Sequence, residues 1–143
     1  MAINPYSDET AILDAIKTKF TGYRVVEEIL DGTQIQYTDG VMVPYIAVSF
    51  GSPIASATGR SIAAEEKQPT DQRIIISGVA GSVDTARQIA GRIARDLTGL
   101  DANANVGPLR LIGGGSYIVP VPNGPTQYVR DTYFLYLGNM MDV

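Results

Sequence analysis

The chain has 143 residues, with no cysteine and no histidine, and its formal net charge is −4. This composition excludes disulfides and thiolate chemistry, removes the commonest general base and metal ligand, and argues against a surface that grips nucleic acid. No apolar run approaches the roughly 18–20 residues that a membrane helix needs, and the N-terminus lacks the order of a signal peptide. We expect one folded domain over residues 1–143, with flexible ends at 1–6 and 139–143. It should be made in a cytoplasm and need no cofactor, metal or membrane.

The first predicted element is an amphipathic helix of about three turns near the N-terminus. Ser7 is a residue type that caps helices, and it precedes two acidic residues where the helix dipole favours carboxylates. Apolar residues then recur at helical spacing, at Ile12, Leu13, Ile16 and Phe20. Gly22 is placed to end this helix in the left-handed conformation.

The middle of the chain alternates turns and strands. The pairs Asp31-Gly32 and Asp39-Gly40 predict turns, and the alternation over residues 45–50 predicts a strand. Small and polar residues from 51 to 72 predict a long exposed connection or hairpin tip. The consecutive isoleucines within residues 73–79 indicate a central strand that is buried on both faces.

A second helix is predicted after Ser82, which caps a wide apolar stripe, and Gly99 closes it. Three arginines lie off the stripe, at Arg87, Arg92 and Arg95. They favour a solvated helix face, and the alternative is that they pair with acids of a neighbouring subunit. Two extended regions complete the chain, the first over 109–112 and 117–121 and the second over 127–137.

The order helix, strands, helix, strands is typical of an α+β fold, here a single domain with a mostly antiparallel sheet and two helices packed on one face. The last strand carries large apolar or aromatic groups on both faces, and Tyr128, Phe134 and Tyr136 share one of them. Two helices cover only one face of a sheet, so loops or another protein chain must cover the second. Exposed aromatic area of that size would mark an interaction surface.

Two glycine-rich stretches are possible phosphate sites. The glycine triplet 113–115 lacks the lysine of a P-loop and does not open a helix, so it favours a turn or bulge with positive φ angles. The turn from Gly78 to Ser82 does enter a helix, but Asp84 at the helix start opposes an anion. A tight strand-to-helix turn is the favoured interpretation there.

Other polar residues give no stronger sign of chemistry. Glu65, Glu66 and Asp71 lie in the long connection, where a solvated charge cluster is favoured over a metal site. Ser116 does not stand in a nucleophile elbow, and no histidine exists to activate it. We therefore predict no catalytic residue.

A wider pattern resembles a known family. Its pieces are a Pro-Tyr strand in VPYIAVSFGSP, a strand and helix in DQRIIISGVAGSVDTARQIAGRIARDLTGL, and a final aromatic strand after a glycine-serine turn in LIGGGSYIVP and TQYVRDTYFLYL. These pieces, between Val43 and Leu137, are similar to tail terminator proteins of long, non-contractile-tailed bacteriophages. Such proteins are also called tail completion or minor tail proteins.

The resemblance implies a small α+β domain that forms a homohexameric ring and needs no cofactor. The ring would cap the tail tube, stop its polymerisation and present the head-docking surface, at the head-proximal end of the virion tail. The implied partners are further copies of the chain, the tail tube protein and the head–tail connector or neck protein. DNA would pass through the lumen without specific binding, and the acidic balance suits such a lumen.

The contacts of such a ring are expected on a charged loop and an aromatic face, at Arg60, Glu65, Glu66, Tyr128, Phe134 and Tyr136. Two other functions stay open. The chain could be another neck or head-completion adaptor of the virion, which is also acidic and non-catalytic. It could also be a small α/β enzyme or ligand-binding domain that uses the turn from Gly78 to Ser82.

Overall fold

The computed structural model describes residues 5–51, 54–55, 67–68, 70–102, 108–122, 124, 126–137 and 141–142. In chain order the elements are α1 (Pro5–Lys19), β1 (Arg24–Val26), β2 (Tyr37–Thr38), β3 (Val41–Met42), β4 (Tyr45–Phe50), β5 (Ile54–Ala55), β6 (Lys67–Gln68), β7 (Thr70–Ala80), α2 (Val83–Leu97), β8 (Arg110–Val119), β9 (Gln127–Leu137) and β10 (Met141–Asp142).

The main sheet has the strand order β1-β4-β7-β9-β8, and β5 also pairs with the start of β7. β1 runs parallel to β4, and the other pairs of this sheet are antiparallel. The predicted α+β fold with a mostly antiparallel sheet is therefore confirmed. The isoleucine run lies in the central strand β7, as predicted, with Ile74 and Ile76 fully buried and Ile75 partly buried.

Both helices pack on the same face of the sheet, as predicted. Ile12, Ile16 and Phe20 of the α1 region share one buried cluster with Ile89 and Ile93 of α2. The sheet supplies the rest of this cluster through inward residues of β4, β7 and β9. The apolar spacing in the sequence thus identified the buried side of each helix correctly.

The helix ends agree with the sequence in one case and not in the other. α2 begins after Ser82, whose Oγ accepts the backbone N–H of Thr85 at 3.3 Å, and Gly99 beyond its end has φ +83°. α1 begins at Pro5, so the prediction that Ser7 caps it is wrong. Proline suits a first helical turn because it has no N–H that would need a partner. Gly22 is not in the left-handed region, contrary to the prediction.

The second face of the sheet is partly covered by the segment between β1 and β4. Leu30, Ile35 and Met42 of this segment are buried against Tyr45 and Val79. The sequence left open whether loops or another protein chain cover this second face. At one end of the face, a loop of the chain itself provides the cover.

A buried hydrogen-bond network holds that segment on the sheet. The Tyr45 hydroxyl donates to Oε1 of Gln127 and accepts the backbone N–H of Leu30 at 2.9 Å. Nε2 of Gln127 donates to the Leu30 carbonyl oxygen at 2.9 Å. Each of the three residues is thus bonded to the other two, which satisfies polar groups that burial would otherwise penalise.

The predicted Asp-Gly turns are both present. Asp39 (φ 52°) and Gly40 (φ 77°) join β2 to β3 as a two-residue hairpin loop, where positive φ angles at both positions match the strand twist. At the other pair, the Asp31 carboxylate accepts the backbone N–H of Thr33 at 2.8 Å. Its pKa is lowered by hydrogen bonds from the Thr33 side chain and backbone.

α2 approaches β7 most closely at Gly78. A Cβ atom at this position would lie 2.8 Å from Cγ2 of Ile89 and 3.2 Å from the Ala86 carbonyl oxygen. The absent side chain at Gly78 therefore sets the distance at which α2 lies over the sheet. Gly91, on the same helix, has nothing within 4 Å of its virtual Cβ.

We expect Gly78→Ala to lower the free energy of unfolding by about 1–3 kcal/mol, because the added methyl group overpacks the helix–sheet contact. Gly91→Ala is the matched control, and it should raise the free energy by about 0.5–1 kcal/mol through helix propensity. Urea unfolding followed by circular dichroism measures both. Equal effects of the two substitutions would contradict the close approach at Gly78.

Candidate assembly surface

The glycine triplet 113–115 lies inside a continuous strand. β8 pairs with β9 from Arg110 to Val119, and the glycines neither break it nor adopt positive φ angles. The predicted division of this region into two runs is wrong, and so are the predicted positive φ angles. The predicted bulge is present, because the register shifts between Leu111 and Gly113.

Close packing on β9 explains one glycine of the triplet. A Cβ atom on Gly114 would lie 2.7 Å from the backbone oxygen of Asp131, which is too close for any side chain without a backbone shift. The bulge leaves Ile112 as the extra residue of β8. Bulges of this kind bend an edge strand and re-aim its side chains.

β8 is an edge strand that exposes apolar side chains. Every residue from Arg110 to Ile118 is exposed. The large apolar residues among them are 44–59% exposed, at Leu111, Ile112, Tyr117 and Ile118. Within the described part of the chain, β9 is the only strand that pairs with β8. Exposed apolar edges of this length are ready templates for another chain, and proteins usually protect them with lysine, proline or a covering element.

A groove runs between β8 and α2, because α2 packs mainly over β7 and β9 among the described strands. It consists of two adjoining cavities of about 450 and 350 Å³ that share Ser116 and Arg130. Arg87 and Ala90 line the first cavity, and Ile118 lines the second. One end of the groove is thus cationic and the other is apolar.

The cationic end contains two arginines of different character. Arg130 is partly buried, and it makes no hydrogen bond or ion pair with any residue that the structure describes. Arg87 is exposed and pairs with Asp84 at 2.8 Å. Asp131 also lines this end, but its carboxylate accepts the Ser77 hydroxyl at 2.6 Å on the opposite face of the sheet. The groove side of β9 therefore presents a positive charge.

The other arginines of α2 are used within the chain. The Arg92 guanidinium lies 5.4 Å from the ring centroid of Phe20 and 5.5 Å from that of Tyr23, where it links α2 to the end of α1. Arg95 pairs with Asp96 at 2.8 Å. This pairing raises the pKa of Arg95 and lowers the pKa of Asp96. For Arg92 and Arg95, the structure therefore gives partners that no neighbouring subunit needs to supply.

Two residues of the predicted aromatic contact lie in the core. Phe134 and Tyr136 are both 0% exposed, because their face of β9 lies under the helices. The Tyr136 hydroxyl donates to Oε1 of Gln72 at 2.6 Å. The expectation that these rings form an exposed aromatic face is wrong. The predicted strand over residues 127–137 is present, but the face that carries Phe134 and Tyr136 packs in the core under the helices.

The remaining predicted contact residues have other positions. Tyr128 is partly buried and lines the apolar end of the groove. Arg60, Glu65 and Glu66 lie outside the described residues. The groove itself was missed by sequence reasoning. One signal for an exposed apolar strand was available, because β8 carries a single charged residue, Arg110.

The other candidate sites have little geometric support. The space beside Gly78 is occupied by the Ile89 side chain, and Asp84 at the start of α2 is paired with Arg87. Within the described ranges, no three acidic residues come together as a possible metal site. No helix of the described part is both long and apolar enough to span a membrane.

Comparisons with known proteins show similarity to solved structures but not to a known family. No family model matches the chain, and no curated protein matches it. Among solved structures, the chain is similar to a chain of the "Virion of native gene transfer agent (GTA) particle". The two share 15% sequence identity with a TM-score of 0.48, over 87% of this chain and 86% of that one.

We expect Phe134→Ala to lower the free energy of unfolding by about 3–5 kcal/mol, because it leaves a cavity under the helices. Ile118→Ala on the exposed edge should change it by less than about 0.5 kcal/mol. Urea unfolding of dilute, monomeric protein measures both. A small effect of Phe134→Ala would place its ring outside the core and contradict the structure.

Alkaline pH should destabilise the fold through its buried phenols. Burial, with smaller contributions from Glu9 and Asp8, raises the pKa of Tyr136 far above its ordinary value of 10, and burial also raises the pKa of Tyr45. The folded state therefore holds protons that the unfolded state releases above pH 10. Stability is then complete below pH 10 and falls as pH rises, by up to about 1.4 kcal/mol per pH unit for each shielded phenol. Unfolding free energies at pH 9 to 11 should show this slope, and Tyr136→Phe should reduce it.

Proposed function

We propose that the chain is a structural virion protein that acts as a tail terminator. Copies of it form a ring that caps the tail tube and ends its polymerisation.

 The face of the ring that points away from the tube docks to the head–tail connector or neck protein, and DNA passes through the lumen of the ring. The observation that carries this proposal is the exposed apolar edge of β8, which pairs only with β9 within the described residues.

The edge strand supports an assembly role because it is costly to leave uncovered. Leu111, Ile112, Tyr117 and Ile118 place apolar area on a strand whose outer backbone groups have no strand partner within the described residues. A protein that stays alone would bury or charge such an edge. A second copy that covers β8 removes both the apolar area and the free backbone groups from water.

The composition supports a role without chemistry. The chain has no histidine or cysteine, so acid–base, thiolate and most metal chemistry lack their usual side chains. Its net charge of −4 suits a lumen that DNA passes without sticking. The resemblance of residues 43–137 to tail terminator proteins adds the specific task, which is to stop the growth of the tail tube.

Closure of a ring requires that two different surfaces meet at each contact. The β8 edge lies at one end of the sheet, and β1 lies at the other. If β8 meets a different surface on the next copy, the contact is heterologous, and its repetition closes a ring rather than a dimer. The ring then presents one face to the tube, where it covers the surface that would accept the next tube subunit.

We expect Ile118→Lys to abolish ring formation, because it places a charge on the apolar edge of β8. Val41→Lys is the matched control, since Val41 is 66% exposed and Ile118 is 59% exposed, but Val41 lies in the β2–β3 hairpin. Native mass spectrometry of each variant, over a range of concentrations, measures the assembly. Rings that persist in Ile118→Lys would contradict the role of β8.

Negative-stain imaging of particles that assemble without this protein tests the tail-terminator role itself. The same two variants are compared in this imaging. Overlong tails are expected if the chain stops polymerisation, and Ile118→Lys should reproduce them while Val41→Lys should not. Free tails of normal length would instead indicate a head-side adaptor and contradict the proposal.

A further inference from the structure

We propose that the groove between α2 and β8 binds residues 62–66 of a neighbouring copy, with Glu66 at its cationic end. This inference rests on the proposed ring, and it names the segment that the β8 side of each subunit receives. The occupant is a second copy of this chain, whose sequence at residues 62–66 is Ile-Ala-Ala-Glu-Glu.

The cationic end of the groove needs an anion. Arg130 is partly buried beside the bare backbone of Gly114 and Gly115, and no described residue pairs with it. A guanidinium that has lost part of its hydration gains most from a carboxylate, which it can bind through two parallel hydrogen bonds. Arg87 lines the same cavity and adds a second positive charge.

The apolar end matches the residues that precede the glutamates. Val83, Ile118 and Tyr128 line this end. Ile118 at this end lies two residues from Ser116 along β8, which is a distance of about 7 Å. In an extended segment, alternate residues share one side and are also about 7 Å apart. With Glu66 at Arg130, residues 64 and 62 of the neighbour therefore face the apolar end.

The same segment of the same chain would have to reverse direction and run fully extended along β7 to approach this groove. Glu66 is four residues from Thr70, so their Cα atoms are at most about 14 Å apart. Gly78, which is paired with Arg130, is eight residues along β7 from Thr70, which is about 26 Å in a strand. The groove also lies beyond β9, further across the sheet. The geometry therefore favours a contact between copies.

A charge exchange tests the pairing. Arg130→Glu and Glu66→Arg should each weaken ring assembly by at least about tenfold, because each places like charges together. The double variant Arg130→Glu/Glu66→Arg should restore most of the assembly, since the pair is re-formed with its charges exchanged. Analytical ultracentrifugation measures the concentration at which rings dissociate, and circular dichroism checks that each variant folds.

A matched control is available on α2 itself. Arg87 and Arg95 are both exposed arginines that pair with a nearby aspartate at 2.8 Å, but only Arg87 lines the groove. Arg87→Glu should weaken assembly, and Arg95→Glu should leave it unchanged. Equal effects of the two would show a general charge effect and overturn the proposal.

Cross-linking locates the contact directly, because the chain has no cysteine of its own. Ser116→Cys and Ala64→Cys are made in separate proteins, which are mixed and oxidised. A disulfide-linked dimer of the two variants is expected. Gln88→Cys mixed with Ala64→Cys is the control, since Gln88 is exposed on α2 but does not line the groove.

The outcomes separate this proposal from the proposed function. Rings that form without the Ser116–Ala64 cross-link overturn the groove contact and leave the ring in place. The absence of both rings and cross-link overturns both proposals. A cross-link that forms only within one chain, in a Ser116→Cys/Ala64→Cys double variant, also overturns the contact between copies.

Discussion

The structure depends on the mismatch in width between its helix layer and its sheet. Strands lie about 4.8 Å apart and packed helices about 10 Å apart, so two helices cover roughly four strands. The main path of the sheet has five strands. α2 is held over β7 and β9 by its close approach at Gly78, so among the described elements the edge strand β8 lies beyond the helix layer. The exposure of β8 follows from this geometry.

The two faces of the sheet are shielded from water in different ways. The helix face is closed by regular elements whose apolar stripes pack on Ile74, Ile76 and Phe134. The second face is closed at one end by an irregular segment, which has no periodic stripe and is held instead by the hydrogen bonds among Leu30, Tyr45 and Gln127. Among the described residues, the large apolar side chains that remain exposed lie mostly on β8 and beside it, close to Arg130, which pairs with no described residue.

Sequence reasoning predicted the features that depend on local pattern. Both helices, the central isoleucine strand, the Ser82 cap and the Asp39-Gly40 turn follow from spacing or from residue type alone. It failed where the outcome depends on strand order, which no local pattern contains. The aromatic residues of β9 were expected to be exposed because the place of β9 beneath α2 was unknown. The groove was missed for the same reason, since Arg87 and Arg130 meet only after the sheet is assembled.

The place of β9 in the sheet also constrains when the candidate assembly surface at β8 can form. β9 comes late in the sequence, yet it lies between β7 and β8. Until it pairs, β8 has no strand to hold it within the described chain, and Gln127 cannot close its network with Tyr45. A chain that ends before residue 127 therefore lacks the strand that holds β8, and its free edge would be β7 in place of β8. The candidate assembly surface at β8 thus requires that β9 has already been made.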